Sequence, residues 1–472
     1  VAVCKLHTKR SPHHADGRGW RDELVALTRL AGPLVAANLL QMAVAAVDVI
    51  FVGRLGTLEL AAATMGVFLF TLPLYGVIGL TSAAAPLIAA ELGQRAHAVR
   101  EVRRSARMAL WVGVAASLLV MVVLASGERL LLLADQDPRV AERAGHFLDI
   151  LLWAVLPGVL AGVLRTVAAA LGRPGWGLVV TALALALSIL VNWLLVFGNA
   201  GFPRLGLEGS AIASVVSTTG MVLAYIFIFF ADHRLRRYRL FGRWWRPEWS
   251  RAREIVRLGV PIMLTWLFEG ALFGGAAILM GLIGVTEVAA HAVALNVAAV
   301  AFQVPFGVAQ AATIRVGLAF GAGDHAWVGR AGRTALALGI GFMGVSAVAM
   351  WLAPRLFISA YIDVDAPQNA AVVPLALQYL AVAAVFQLVD GAQAVAAGVL
   401  RGVQDTRVPM LVALFGYWVI GFGTAAVLGF ATTLAGTGIW IGLAAGLLAV
   451  SVLLLWRWSA RERLGLLVPR PA

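Results

Sequence analysis

Residues 30–52 read LAGPLVAANLLQMAVAAVDVIFV, and within them only Asp48 is charged. A hydrocarbon core needs about 20 consecutive apolar residues in helical form, so the stretch reads as a membrane span. It also holds what a span avoids: the carboxylate of Asp48, with the amide of Gln41 seven residues earlier on the same helix face.

Eleven more runs of this kind follow, at 60–86, 106–126, 147–166, 176–198, 208–231, 255–283, 288–314, 332–353, 372–400, 408–430 and 437–457. Pro33, Pro73, Pro157, Pro261 and Pro305 fall inside them, which membrane helices tolerate because neighbours re-satisfy the freed backbone groups. Composition agrees. Of 472 residues 61% are hydrophobic and 13% charged, with a mean hydropathy of +0.89, whereas soluble domains carry about 25% charged residues. So few charges cannot build a water-facing surface, and a soluble enzyme is excluded. The single Cys4 forms no intramolecular disulfide, and no Cys/His cluster has zinc spacing. The first 28 residues are polar and show no signal peptide, which leaves the first span as its own insertion signal.

The net charge of +13 raises the question of nucleic acid. With both termini in the cytoplasm, 31 Lys and Arg fall on that side and only 6 (Arg54, Arg129, Arg139, Arg143, Arg204 and Arg355) on the other. That bias is the positive-inside rule, so the charge sets topology and nucleic-acid binding is not expected. The segment from Lys5 to Arg21 is expected to be disordered. The sharpest compositional break, DHRLRRYRLFGRWWRPEWSRAR at 232–253, places Trp244, Trp245 and Trp249 at a membrane interface.

The halves on either side of this linker match at a constant offset of 228. Pro33 falls on Pro261, Gly53 on Gly281, Gly56 on Gly284, LELAA (58–62) on TEVAA (286–290), Gly79 on Gly307, Gly93 on Gly321 and His97 on His325. An even number of spans per unit makes the copies parallel, with a cavity expected between them. The expected fold is an all-α polytopic membrane protein, twelve transmembrane helices in two six-helix bundles around a central cavity. Its parts are a cytoplasmic tail (1–28), an N-lobe (29–231), the basic linker (232–253), a C-lobe (254–457) and a second cytoplasmic tail (458–472).

Three acids sit well inside spans: Asp48, Glu269 in PIMLTWLFEGALFGG (261–275), and Asp390 between Gln387 and Gln393. Each costs about 2.5–3.5 kcal/mol at a helix centre and marks an ion or proton pathway by default. No basic residue reads as equally deep. The offset sets Gln41 against Glu269 and Ala276 against Asp48, so the halves are chemically unequal. A carboxylate away from water favours a proton or a bound cation. Competition of an inorganic cation and an organic one for the same charge is the simplest basis for exchange.

QMAVAAVDVIFVG (41–53), the Glu269 segment, VNWLLVFG (191–198) and DGAQAVAAGVLRGVQDTRVPM (390–410) resemble the multidrug and toxic compound extrusion (MATE) family, NorM-like branch, over roughly residues 22–457. The resemblance implies that Glu269 and Asp390 are cation-coupling carboxylates, with Na⁺ as a possible metal there. It implies Asp48 as the N-lobe acid and Asn192 as lining the same cavity. Ser188, also a cavity candidate, stands where many relatives have an amide or acid, an incomplete hydrogen-bond network around Asp48. Arg401, Asp405 and Arg407 are assigned to the cytoplasmic turn and gate.

Gln41, Trp266, Asn296, Gln303 and Gln387 are further cavity candidates, with Gln310 continuing the spacing of seven along the eighth span. Tyr75, Phe386 and Tyr417 are aromatic-wall candidates, and His291 a lone titratable group. The reading is a monomeric inner-membrane antiporter that expels organic, mostly cationic amphipathic compounds against Na⁺ or H⁺, without cofactor or enzyme activity. The alternative is a lipid-linked saccharide flippase, whose cavity would be basic where this one is expected to be acidic.

Overall fold

A computed structural model describes residues 19–95, 98–134, 136–242 and 245–468. Among the described residues twelve helices are long and apolar enough to cross a membrane. They are α1 (Trp20–Gly53), α2 (Thr57–Gln94), α3 (Val99–Leu124), α4 (Pro138–Ala170), α5 (Gly175–Leu195), α6 (Leu207–Ala231), α7 (Trp249–Ile283), α8 (Val285–Gly321), α9 (His325–Leu352), α10 (Val372–Gly402), α11 (Arg407–Phe430) and α12 (Ala435–Ser459). The described residues contain no strand. The protein is an all-α, twelve-span membrane protein, and exposed residues such as Leu119, Phe227, Ile278 and Val345 form a surface suited to lipid.

Several helices overshoot their apolar runs. α1 has 34 residues, about 51 Å at 1.5 Å per residue, against a hydrocarbon core of about 30 Å. It begins at Trp20, inside the segment expected to be a polar tail, and α7 begins at Trp249, inside the expected linker. Hydropathy finds only the lipid-facing part of a helix. Part of each protruding turn packs on protein, where Glu23 and Arg251 find ion-pair partners. Leu466 and Leu467, in the expected C-terminal tail, are buried as well. Trp245 and Trp249 are exposed. Trp244, His97 and the stretch from Lys5 to Arg18 lie outside the described residues.

The first six spans pack mainly on one another, as do the last six. The two sets meet where α8 lies against α1 and α2, and α7 against α2 and α3. At the arginine-rich end the approach is so close that a β-carbon on Gly93, Gly259 or Gly321 would lie 2.0–2.1 Å from a carbonyl oxygen of the other set. Among the described residues two ion pairs join helices of the two sets across the same seam. Glu23 of α1 accepts from Arg315 of α8 at 2.5 and 2.9 Å and from Trp327 Nε1 at 2.9 Å; Arg251 of α7 reaches Glu91 of α2 at 3.0 Å.

Candidate functional site

Between the two sets lies a cavity of 460 Å³. Its wall is mostly apolar and runs from Asp48 and Val49 at one end of α1 to Ala85, Ala169 and Arg401 near the arginine-rich ends of α2, α4 and α10. Gln41, Tyr75, Ser214, Trp266 and Gln310 supply polar and aromatic groups, and the Trp266 and Phe306 rings stand 5.7 Å apart.

Asp48 is the carboxylate of this wall. Its Oδ1 accepts from Asn192 Nδ2 at 2.8 Å and Ser188 Oγ at 3.2 Å, both on α5; its Oδ2 accepts from Ser214 Oγ of α6 at 3.0 Å. Ser188 therefore joins the network that it was expected to leave incomplete. Ser214 adds a third donor to that network, and the sequence reading missed it. The i, i+4 spacing of Ser188 and Asn192 puts both donors on one face of α5. Both are fully buried behind Asp48 and do not themselves line the cavity, contrary to expectation.

Glu269 and Asp390 come together elsewhere, among the last six spans. Gln393 Nε2 donates to Glu269 Oε1 at 3.2 Å and to Asp390 Oδ1 at 3.3 Å, while Gln393 Oε1 accepts from the Tyr417 hydroxyl at 2.9 Å. One amide thus bridges two carboxylates that lie three residues and one helix away from it. Tyr417 belongs to a π-helical segment, Phe415–Phe422, a distortion frequent at functional positions. Close packing holds the segment in place: a β-carbon on Gly446 would lie 2.6 Å from Gly421 Cα.

The pair does not line the cavity. Direct competition of an organic guest with an ion at Glu269 and Asp390 therefore has no support in the geometry; of the three acids only Asp48 lines the cavity. Among the described residues no Arg or Lys forms an ion pair with Asp48, Glu269 or Asp390.

Other expectations are corrected. Of the amides on α8 only Gln310 lines the cavity; Asn296 and Gln303 bond back to the carbonyls of Ala292 at 2.8 Å and Ala299 at 3.3 Å on their own helix. Gln387 is fully buried and accepts from Ser346 Oγ at 3.1 Å. Phe386 packs against Trp440 at 5.5 Å, and His291 lies 5.4 Å from that ring. Asp405 pairs with Arg457 at 2.5 Å, tying the α10–α11 turn to α12, and Arg407 is exposed.

Arg401 faces the cavity rather than the turn, and so does Arg165. Basic residues were expected to stay shallow, and the cavity to be acidic. Instead Arg315 and Arg107 are buried, 6% and 4% exposed, and among the described residues two arginines share the cavity wall with one aspartate. The cause is the helical overshoot: side chains counted as loop charges belong to helix ends enclosed by protein.

The MatE family model matches residues 33–194 and again 261–427, starting at the same 228-residue offset as the paired glycines. The chain is 46% identical over 445 residues to a protein of Mesorhizobium japonicum named "Probable multidrug resistance protein NorM", covering 94% of this chain and 95% of that one. A protein of the same name from Brucella suis is 46% identical over 450 residues, covering 95% of each. In fold the chain is similar to a eukaryotic MATE transporter at a TM-score of 0.84, with 22% identity over 95% of this chain and 100% of that one. A MATE crystal structure in a bent conformation gives 0.83, with 19% identity over 97% and 98%.

Proposed function

The chain belongs to the MatE family of membrane transporters and is not an enzyme, and from that premise we propose that it expels organic, mostly cationic amphipathic compounds by alternating access, in exchange for Na⁺ or H⁺. One observation carries this reading: Asp48, held by three neutral donors and by no base, presents a carboxylate to an apolar cavity between two packed sets of helices. A negative charge in such a wall attracts a cation of almost any shape. Apolar and aromatic neighbours then select for amphipathic bulk rather than for one structure.

Glu269 and Asp390 serve as the inorganic-cation site. Two carboxylates around one amide repel each other unless a proton or a cation sits between them, and oxygen donors suit Na⁺. The sites communicate through shared helices: α7 carries both Glu269 and the cavity residue Trp266, and α10 carries both Asp390 and the cavity residue Arg401. Neutralising the pair changes how α7 and α10 pack, and with them the cavity wall. The protein acts as a monomer; its place is the inner membrane, with the arginine-rich end and both termini in the cytoplasm. The relatives named for multidrug resistance support this reading over saccharide flipping.

The test is efflux of organic cations from proteoliposomes under an imposed Na⁺ or pH gradient, with Asp48→Asn, Glu269→Gln and Asp390→Asn alongside wild type. Loss of gradient-driven efflux in the variants is expected. Wild-type rates in all three would overturn the proposal. Protection of cells from cationic dyes on overexpression separates it from a flippase.

A further inference from the structure

At the arginine-rich end of the last six spans, the start of α9 meets the residues that close α12. The apolar run of α9 opens at 332 and that of α12 closes at 457, so Arg333 and Arg461 stand where hydrocarbon gives way to lipid headgroups. Their guanidiniums converge. A β-carbon on Gly329 would lie 3.1 Å from Arg461 Nη2 and 3.8 Å from Arg333 Nη2. Each is fixed by one carbonyl and one indole face. Arg333 donates Nε to the Gly329 carbonyl at 3.2 Å and lies 5.3 Å from the Trp20 ring. Arg461 donates Nη1 to the Trp458 carbonyl at 3.0 Å and lies 4.7 Å from the Trp458 ring. Trp20 belongs to α1, so the cluster touches both sets of helices.

Two like charges held over one glycine repel each other. Burial holds the Arg461 guanidinium below its ordinary pKa; Glu462 opposes this and Arg333 adds to it. Among the described residues Arg333 has no carboxylate within ion-pairing distance. Arg461 has only Glu462, at 3.8 Å and 67% exposed. Other arginines of this end are paired closely: Arg457, one turn earlier on α12, with Asp405, and Arg315 with Glu23. The Nε of Arg461 and the Nε1 of Trp458 are buried and have no partner, so unused donors accompany the unbalanced charge. Around them Trp20, Trp456, Leu464 and Val468 are exposed, an apolar and aromatic rim of the kind that sits at a membrane interface.

We propose that Arg333 and Arg461 form a binding site for the phosphate of an anionic phospholipid, seated over Gly329 with its acyl chains running along the apolar surface beside Trp20 and Trp456. A phosphate there accepts charge-assisted hydrogen bonds from both Nη2 atoms and relieves their repulsion. With Glu462 counted the cluster is still positive, which favours a headgroup of net negative charge over a zwitterionic one. The exposed indoles favour a lipid over a soluble phosphate. The site stands apart from the central cavity and from the Glu269–Asp390 pair, and it does not depend on what the protein exports.

Native mass spectrometry of the full chain in detergent tests it, with a Kd for dioleoylphosphatidylglycerol and one for dioleoylphosphatidylcholine. Wild type should bind the glycerol lipid about tenfold or more tightly than the choline lipid. Arg333→Gln with Arg461→Gln should remove most of that preference, and Arg333→Lys with Arg461→Lys should keep most of it. Arg234→Gln with Arg236→Gln, on the exposed short helix His233–Arg236, should leave it at the wild-type value. A preference that survives the loss of Arg333 and Arg461, or that falls equally in the Arg234 and Arg236 variant, overturns the site. Should the double variant not fold, Arg333→Gln alone decides, since Arg333 is exposed: the preference must fall several-fold, and an unchanged one overturns the proposal. Inorganic phosphate tests the soluble source. Millimolar phosphate should leave the glycerol lipid bound, and displacement by it would assign the arginines to a soluble anion and overturn the lipid site.

Discussion

A β-carbon on Gly93 would lie 2.1 Å from the carbonyl oxygen of Leu318, and one on Gly321 would lie 2.0 Å from that of Ala90. These two contacts are a single relationship seen twice, since 321 follows 93 and 318 follows 90 by the same 228 residues. The second glycine pair behaves likewise. A β-carbon on Gly79 would lie 3.1 Å from Met263 Cα, and one on Gly307 would lie 3.1 Å from Val35 Cα, again at one offset. The sequence repeat is therefore a physical dyad: the matched glycines are where each copy's backbone rests against the other's.

Closure of the arginine-rich end depends on the absence of side chains at these points. Gly93→Ala and Gly321→Ala each set a methyl group into a carbonyl oxygen, and overpacking of this kind costs about 1–3 kcal/mol. That shifts a two-state equilibrium roughly 5- to 150-fold toward the state in which the seam is parted. Spin-label distances across α2 and α8 should lengthen in either variant. Gly274→Ala, where a β-carbon meets nothing within 4 Å, should leave them unchanged.

Two ion pairs close the same seam with opposite polarity. Glu23 of α1 binds Arg315 of α8, and at the repeat-equivalent position of Glu23 stands Arg251 of α7, which binds Glu91 of α2. Removing one partner of a buried pair strands the other, at about 3–5 kcal/mol. Arg315→Met should therefore destabilise the closed state more than Glu23→Gln with Arg315→Met together. Cysteine accessibility at the arginine-rich end gives the order; a double variant as open as the single one would show that the pair does not hold the seam.

Much of the fold was legible because bilayer thickness imposes a length and an apolar composition on every span. The twelve helices and the repeat could be read from residues alone, and so could the three buried acids. Helix ends were not legible: Arg165, Arg315 and Arg401 read as loop charges because hydropathy reports contact with lipid and is silent about polar side chains enclosed by protein. The separation of Asp48 from Glu269 and Asp390 was also hidden. Spacing along one helix fixes a face, but which cavity that face meets depends on packing between helices. Ser214 gave no signal, being one hydroxyl among several small residues of α6 (Ser210, Ser214, Ser217).

Gln393 holds Glu269 and Asp390 through one amide, and Tyr417 holds that amide. Tyr417→Phe removes one hydrogen bond, worth about 0.5–1.5 kcal/mol, and should raise the coupling-ion concentration needed for half-maximal efflux from a few-fold to about tenfold. Gln393→Leu removes the shared donor from both carboxylates and should raise the Na⁺ concentration needed further, while lowering the proton concentration needed, since that donor favours their charged form. Efflux measured across a series of Na⁺ concentrations and pH values reads the effect. A change in maximal rate alone, with unaltered ion dependence in both variants, would show that the amide does not set ion affinity.

Asp232, between α6 and the short helix His233–Arg236, predicts an acid-sensitive element outside the spans. Burial pushes its carboxyl upward, but the Trp176 indole N–H at 2.8 Å, the Arg234 backbone N–H at 2.8 Å and the Arg173 guanidinium at 3.0 Å outweigh this and hold it below the ordinary value of 3.8. A carboxyl lowered by folding contributes stability that is complete above its unfolded range and is lost as pH falls through its folded value. Hydrogen bonds to a charged group contribute roughly 1.5–3 kcal/mol, so Asp232→Asn should melt at lower temperature than wild type at pH 7. The two melting curves should converge as pH drops below about 4. Melting of detergent-purified protein from pH 7 to pH 3 checks this, and a gap that persists or widens in acid would assign the stabilisation to packing instead of charge.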